Sequence, residues 1–403
     1  MKILWVKAGG LVPPDTGGKI RSYNILRELA RRHSVTFFSF YATHDHDEHP
    51  ELKSIFENVI CVPMKLPAAK SAAEMFSYGI HLFSSEAYGI AKFCLPEVRR
   101  QLRAHVEQEE YDVIVCDFVA AAGAIPWSLP VPTILFTHNV EASIWRRHYE
   151  VARNPVWKTV SWLEWKKMES AERRYLRLAD HVLTVSEADR DAFANIIDPA
   201  KLTVIPTGVD VEYFQPWAVE KTPHSLVFTG SMDWLPNEDA IFYFLNEIFP
   251  LITQQFADVI LEVVGRKPSR KLQVRAAKEK NVNLTGWVED IRPFLARGSV
   301  CIVPLRIGGG TRLKIFEAMA MATAVVSTSV GAEGLPVKSG ENIVLADTPQ
   351  AFADAVILFL KNFAERKRIG DAARVLVKEK YGWPRIAETF AQTLADLVSR
   401  VRL

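Results

Sequence analysis

The residues Val300-Cys301-Ile302-Val303-Pro304-Leu305 form an apolar run that gives way to Gly308-Gly309-Gly310 and then to Thr311-Arg312-Leu313-Lys314-Ile315-Phe316-Glu317-Ala318-Met319-Ala320. An apolar run, a glycine cluster and a helix-periodic run read as strand, loop and helix. The glycines let the backbone turn without Cβ clashes and bring its N–H groups close to an anion, and the helix N-terminus adds partial positive charge. Arg312 and Lys314 put two cations in the first helical turn, where they oppose the helix dipole; anion binding accounts for them better than helix stability does. Glu317, about one and a half turns along, has the reach to accept hydrogen bonds from the vicinal hydroxyls of a ribose carried by the same phosphates. G-x-G-x-x-G and G-K-[ST] are absent, so this is neither a dinucleotide fingerprint nor a Walker loop. It reads as a nucleotide-sugar clamp, against the plainer alternative of a tight turn with a solvated charged face.

The run from Gly308 to Leu335 resembles the donor-binding core of retaining family 4 glycosyltransferases of the GT-B fold. The resemblance implies that Glu317 binds the nucleotide ribose. That family places a second Glu eight residues earlier, where this chain has Gly309, so the contact to the donor sugar falls to backbone N–H groups of Gly309, Gly310 and Thr311. It also implies an α/β fold of two Rossmann-like, doubly wound domains facing each other across a cleft. The expected bounds are an acceptor-side domain over 1–210, a nucleotide-sugar-binding domain over 211–382, and a helix over 383–403 that crosses back to the first domain.

Length and composition agree with this plan. At 403 residues and 49% hydrophobic content the chain has enough material for two or three domains with sizeable cores. Its 49 Lys and Arg against 47 Asp and Glu leave a net charge of +2, so bulk charge argues neither for nucleic acid nor for an acidic polymer, local patches must decide, and no nucleic acid is assigned as a partner. Cys61, Cys94, Cys116 and Cys301 are far apart, lie mostly in apolar runs, form no C-x-x-C pair and read as buried reduced thiols. A short apolar strand runs straight into Gly9-Gly10 without a signal-peptide core, and no stretch is long enough to span a bilayer, which predicts a cytoplasmic protein.

In the first domain, a strand over Lys2 to Val6 leads to a loop with Pro13-Pro14-Asp15 and Gly17-Gly18, then a helix to about Arg32. Glycines at a strand's C-terminal end face the ligand crevice of an open α/β sheet, so Gly17 and Gly18 are candidate ligand contacts. Pro14, Gly17, Gly18 and Arg21 or Lys19 also resemble a family loop that lies over the cleft. Further strands at Ser34 to Tyr41, Val59 to Val62, Asp112 to Cys116, Thr133 to Phe136 and His181 to Val185 alternate with helical patterns, which indicates a mostly parallel sheet. His138, in the loop after Thr133 to Phe136, is the candidate to touch the donor sugar or the leaving oxygen; the family places a functional His in a comparable loop. Thr43-His44-Asp45-His46-Asp47-Glu48-His49 collects metal-ligand types, but a short polar run before a Pro-started helix is more simply a solvated loop, and no metal is assigned.

Trp145 to Arg177 is helical and carries four tryptophans with nine Lys or Arg against four Glu. A basic aromatic surface of this kind suits anionic lipid headgroups, and an ordinary helical hairpin is the competing reading. Leu66 to Leu95 reads as a further helical excursion nearby.

The second strand–helix series opens at Ser225 to Thr229 and meets Gly230-Ser231-Met232-Asp233-Trp234-Leu235-Pro236-Asn237. Relatives carry an Arg directly after this Gly and a Lys several residues on, both bound to the donor diphosphate. Here those places hold Ser231 and Asn237, so Arg312 and Lys314 are read as relocated cations, with Arg266 as a spare. Gly286-Trp287-Val288 resembles the base-contacting loop, which makes Trp287 and Val288 donor-binding candidates.

The expected activity is retaining transfer of a sugar from a nucleotide-diphosphate sugar to an acceptor hydroxyl, saccharide or lipid-linked, in polysaccharide or glycolipid assembly. His138, Arg312 and Lys314 are its catalytic candidates, and it uses no cofactor and no metal. Peripheral attachment to the inner face of the cytoplasmic membrane through 145–177 fits the same reading. A sugar-nucleotide epimerase and a non-catalytic sugar-nucleotide-binding partner are the alternatives.

Overall fold

The computed structural model describes residues 1–42, 50–67, 71–82, 84–152, 154–307 and 313–401. Gly309, Gly310, Thr311, Arg312 and the tract Thr43 to His49 lie outside the described residues. Contacts divide the chain into two compact units, Met1–Pro206 with Pro384–Leu403, and Thr207–Trp383.

The first unit is a seven-stranded parallel sheet of β1 (Lys2–Ala8), β2 (Ser34–Ala42), β3 (Asn58–Met64), β4 (Val113–Asp117), β5 (Thr133–Phe136), β6 (His181–Thr184) and β7 (Leu202–Val204), in the order β3-β2-β1-β4-β5-β6-β7. Its central strands are apolar nearly throughout, as a sheet covered on both faces requires. Ile3 pairs with Val35 on one side and Val113 on the other. Trp5 stacks on Phe390 of the last helix, Trp383–Val401, and Phe136 meets the same ring edge-on. Ile386, Phe390, Leu394 and Leu397 of that helix are buried at helical spacing. Burying each such side chain stabilises the fold by about 1.5–3 kcal/mol.

The second unit is a six-stranded parallel sheet of β8 (Ser225–Thr229), β9 (Ile260–Val264), β10 (Val282–Gly286), β11 (Val300–Val303), β12 (Ala324–Ser327) and β13 (Val344–Leu345), in the order β10-β9-β8-β11-β12-β13. Thr207 to Val209 belong here because Val209 donates to Tyr381 O at 2.7 Å and bridges Gly382. Gly208 lies against Trp383, whose ring would stand 2.5 Å from a Cβ at that position.

Both sheets are doubly wound. The chain builds outward from β1 through β2 to β3, then returns to lay β4 on the other side of β1; β8, β9, β10 and β11 repeat the manoeuvre. At each reversal the loops leaving the two central strands part, and the crevice at their C-terminal ends is where such sheets hold ligands.

The basic aromatic segment is two helices, Glu141–Val151 and Pro155–Leu178. Pro155 opens the second, and the Asn154 side chain accepts from the N–H groups of Val156 and Trp157. The four tryptophans do not form one surface: Trp145 and Trp165 pack against the domain core, while Trp157 and Trp162 stay exposed. The earlier excursion forms the helix Ala72–His81, whose last carbonyls, of His81 and Leu82, accept from Lys167 Nζ at 2.9 and 2.8 Å. None of the four cysteines is in a disulfide; Cys116 and Cys301 are buried as expected, whereas Cys61 and Cys94 are only partly buried. Among the described residues no helix is long and apolar enough to cross a membrane, and no cluster of His, Cys, Asp or Glu could hold a metal.

Candidate active site

In the second domain the loops after β8, β9, β10 and β11 leave the same edge of a parallel sheet. Gly230 follows β8 in a left-handed conformation at φ 150°, and its N–H donates to Val264 O of β9. Gly265 lies so close that a Cβ there would meet Gly230 O at 1.8 Å, so both positions demand glycine. Asn237, in the first turn of the helix Leu235–Tyr243, is buried and donates from Nδ2 to Ser231 O at 2.8 Å. Lys314, in the first turn of the helix Leu313–Ala320, reaches across from β11 and donates to Asn237 Oδ1 at 2.7 Å. The same ammonium sits 4.0 Å from the centre of the Phe228 ring, a cation–π contact. A Cβ on Gly230 would fall 2.7 Å from it, so this glycine makes room for the lysine. Arg266 donates from Nε to Ser231 Oγ at 3.0 Å, and Ser231 donates to Asp233 Oδ1 at 2.6 Å. Two cations from different loops thus converge on Ser231 and Asn237, the two places that resemble the family's Arg and Lys positions but carry no charge.

Glu317 lies one helical turn beyond Lys314, on the same face. It keeps some exposed surface but sits deep enough that burial pushes its carboxyl up to about 7, with the Lys314 ammonium opposing the rise. Trp287 follows Gly286, which takes φ 71°, and is 72% exposed at the end of β10, with Val288 half-buried beside it. The domain therefore gathers Gly230, Ser231, Arg266, Trp287, Val288, Lys314 and Glu317 along one sheet edge; Arg312 and the glycines of its loop are outside the described residues.

In the first domain the helix Gly17–Ala30 starts at the paired glycines, and the Thr16 side chain makes no capping hydrogen bond to its first N–H groups. A Cβ on Gly18 would stand 3.3 Å from His138 Nδ1, so loop and imidazole are neighbours. His138 is buried, with the rings of Phe118 and Phe136 against it. Its Nε2 stands 2.8 Å from Oδ1 of Asp117, the last residue of β4, which is wholly buried. The other carboxylate oxygen, Oδ2, accepts from Lys7 Nζ at 2.9 Å and from Trp5 Nε1 at 3.0 Å. Burial opposes ionisation of Asp117, yet Lys7 and His138 hold its carboxyl well below the usual range. Burial lowers the His138 imidazole to about 4, with Arg21 and Lys7 pushing the same way and Asp117 resisting, so it is neutral at ordinary pH. Arg21 is itself buried, which brings its guanidinium down to about 10. Phe118, directly after Asp117, holds φ 77°, a strained value for a side chain with a Cβ, at the turn that presents this cluster.

Lys7, Trp5 and Asp117 were not legible as site residues. Each lies in a strand whose apolar neighbours mark it as core; the available signal was an unpaired charge in each of two buried strands, since a charge there demands a partner.

Residues 16–213 match the family described as Glycosyltransferase Family 4, and residues 223–362 match Glycosyl transferases group 1. The chain belongs to the group 1, family 4 glycosyltransferases. Among curated proteins, this family 4 chain is 27% identical over 263 residues to the MMP alpha-(1->4)-mannosyltransferase of Mycolicibacterium hassiacum, a match that covers 62% of it and 61% of that protein. It is 25% identical over 164 residues to an uncharacterized 44.6 kDa protein in the cps region of Klebsiella pneumoniae, covering 39% of the chain and 42% of the relative. The chain thus spans from under half to about three fifths of the curated relatives it matches. Among solved structures it resembles the sucrose-phosphate synthase of Thermosynechococcus elongatus, with TM-score 0.73 and 17% identity over 99% of this chain and 100% of that one. It also resembles Anabaena HepE in complex with UDP and glucose, with TM-score 0.68 and 16% identity over 98% and 99%. The two doubly wound domains are those of the GT-B fold.

Proposed function

We propose that this glycosyltransferase moves a sugar, with retention of configuration, from a nucleotide-diphosphate sugar to an acceptor hydroxyl in polysaccharide or glycolipid assembly. The observation that carries the reading is the convergence of Lys314 on Asn237 and of Arg266 on Ser231 at the point where the second sheet reverses. Two cations and the first turn of a helix suit a diphosphate, and they meet charge that grows as the glycosidic bond breaks. Glu317 takes the ribose hydroxyls and Trp287 the base. With that much positive charge supplied by side chains, the mechanism needs no metal ion. The acceptor hydroxyl attacks from the face the diphosphate leaves, and a departing phosphate oxygen takes its proton. In the first domain His138 accepts a hydrogen bond from a sugar hydroxyl. The mannosyltransferase relative supports a hexosyl group as the unit moved. A lipid-linked acceptor is supported by exposed Val156, Trp157 and Trp162 beside Lys158 and Lys166, and by exposed Met75, Phe76 and Ile80 on the helix Ala72–His81.

Thermal shift of the full chain against a panel of nucleoside diphosphates and their sugars tests the reading, because a ligand at a hundredfold its dissociation constant adds about 2.7 kcal/mol. Stabilisation by one base series is expected, followed by transfer to acceptor with the donor's anomeric configuration kept in the product. No stabilisation by any member would overturn it.

A further inference from the structure

We infer that Asp117 is a positioning residue that fixes His138 in one tautomer, with the proton on Nε2 and a bare lone pair on Nδ1 directed at the Gly17–Gly18 loop. The geometry leaves one assignment. Asp117 Oδ1 can only accept while the carboxylate is ionised, and it stands 2.8 Å from His138 Nε2; neither buried atom has a hydrogen-bond partner elsewhere among the described residues, so a hydrogen on Nε2 meets the carboxylate where a lone pair would be repelled by it. A neutral imidazole has one N–H, hence Nδ1 is an acceptor. Gly18 flanks that atom without a side chain, since a Cβ there would stand 3.3 Å away.

The carboxylate is itself pinned. Lys7 and Trp5 both donate to Oδ2, at 2.9 and 3.0 Å, which turns Oδ1 to the imidazole and keeps it there. Ser22 ties the arrangement to the glycine loop: its hydroxyl is 3.4 Å from Lys7 Nζ and donates to Gly18 O at 3.0 Å. The charged groups around the imidazole are therefore Asp117, Lys7 and Arg21. The chain Trp5/Lys7–Asp117–His138 has one acceptor end, and it opens on the loop at the C-terminal end of β1. An acceptor there recognises a ligand hydroxyl as a donor and disfavours a ligand acceptor such as a phosphate or carboxylate oxygen. Assigning that ligand hydroxyl to a sugar rests on the proposed transferase reading; the tautomer does not.

Asp117→Asn makes the inference sharp. Lys7 and Trp5 are donors, so the carboxamide oxygen must take the Oδ2 place and its NH2 group must face His138. Nε2 then has to accept, and the proton moves to Nδ1. Long-range proton–nitrogen correlation spectra of the full chain with isotope-labelled histidine read this directly, His138 being assigned by its loss in His138→Gln. The parent should show a protonated Nε2 and an unprotonated Nδ1 at neutral pH, and Asp117→Asn the reverse. A parent spectrum with the proton on Nδ1 overturns the inference without any variant, so a failure of Asp117→Asn to fold does not shelter it; so does a folded Asp117→Asn with the parent's tautomer. In transfer assays Asp117→Asn should lose about a hundredfold in kcat while nucleoside diphosphate affinity holds, the scale of a lost positioned acid–base group. Unchanged kcat with a reversed tautomer would remove Asp117's part in transfer. A protein with the predicted tautomer but no transfer from any nucleotide sugar would sink the transferase reading alone.

Discussion

Lys314 Nζ lies 2.7 Å from Asn237 Oδ1 across 77 residues of sequence, so a cation born on the helix after β11 occupies the mouth of the loop after β8. If that ammonium faces the donor diphosphate, its worth grows with the charge released in the transition state, and its loss falls on turnover. Lys314→Ala should fold and lose about a hundredfold to a thousandfold in kcat, and Arg266→Ala should be impaired in the same direction. Activity of the parent should survive EDTA. Steady-state kinetics with and without chelator check both; near-normal turnover in the two variants, or loss to EDTA with rescue by a divalent metal, contradicts a metal-free cationic hole.

Glu317 gives a pH-dependent test. Burial sets its carboxyl near 7, and only the ionised form offers both oxygens as acceptors to a ribose diol. Nucleoside diphosphate affinity should therefore rise as pH rises through about 7, and Glu317→Gln should bind more weakly and lose that rise. A ribose contact is made equally in ground and transition states, so KM for donor should increase more than kcat falls. Titration calorimetry across the range decides it: a variant with parental affinity and parental pH profile excludes the contact.

How much of this was legible depends on which physics a residue obeys. The Gly230 loop, the alternating strands and the terminal helix announce themselves through backbone freedom and apolar spacing, both local properties. Lys314 was legible as a cation in the first turn of its helix, but its position beside Asn237 only as a missing charge at Ser231 and Asn237, because the sheet reversal that brings β11 beside β8 is not a local property. Asp117 was invisible for the same reason: its partner Lys7 comes from β1 on one side of β4 and His138 from the loop after β5 on the other. Trp145 and Trp165 misled, since composition counts tryptophans on a helix but not the face each takes, and these two turn inward to the core.

Glu172 predicts a pH dependence of stability. Its carboxylate accepts from the N–H groups of Glu141 at 2.7 Å and Ala142 at 3.3 Å, tying the helix Pro155–Leu178 to the start of the helix that follows His138. Burial pushes this carboxyl up to about 8, against those two donors and helped by Glu141 and Asp189. The folded state thus holds a proton that the unfolded chain releases near 4.5, so its stabilisation is full below that value and is lost as pH rises to about 8. Melting temperatures from about pH 5 to about pH 8 should fall more steeply in the parent than in Glu172→Gln, which stays neutral throughout. Parallel curves would show that Glu172 is ionised in the folded protein.

Membrane attachment is the remaining prediction, and the corrected geometry narrows it. The lipid-facing set is Trp157 and Trp162, each 44% exposed, with Val156 and the cations Lys158 and Lys166, rather than all four tryptophans. Phe76, 73% exposed on the helix that Lys167 caps, adds an apolar side chain that water solvates poorly. Aromatic side chains beside lysines favour an anionic interface, where each cation near the surface contributes about 1 kcal/mol and salt screens it. The protein should cosediment with anionic vesicles, release as salt rises, and ignore neutral ones. Trp162→Ala with Phe76→Ser should weaken attachment while leaving nucleotide binding intact, since neither residue belongs to the second domain. Equal binding to neutral and anionic vesicles, or none to either, would return both helices to the role of a water-facing hairpin and point to a saccharide acceptor free of lipid.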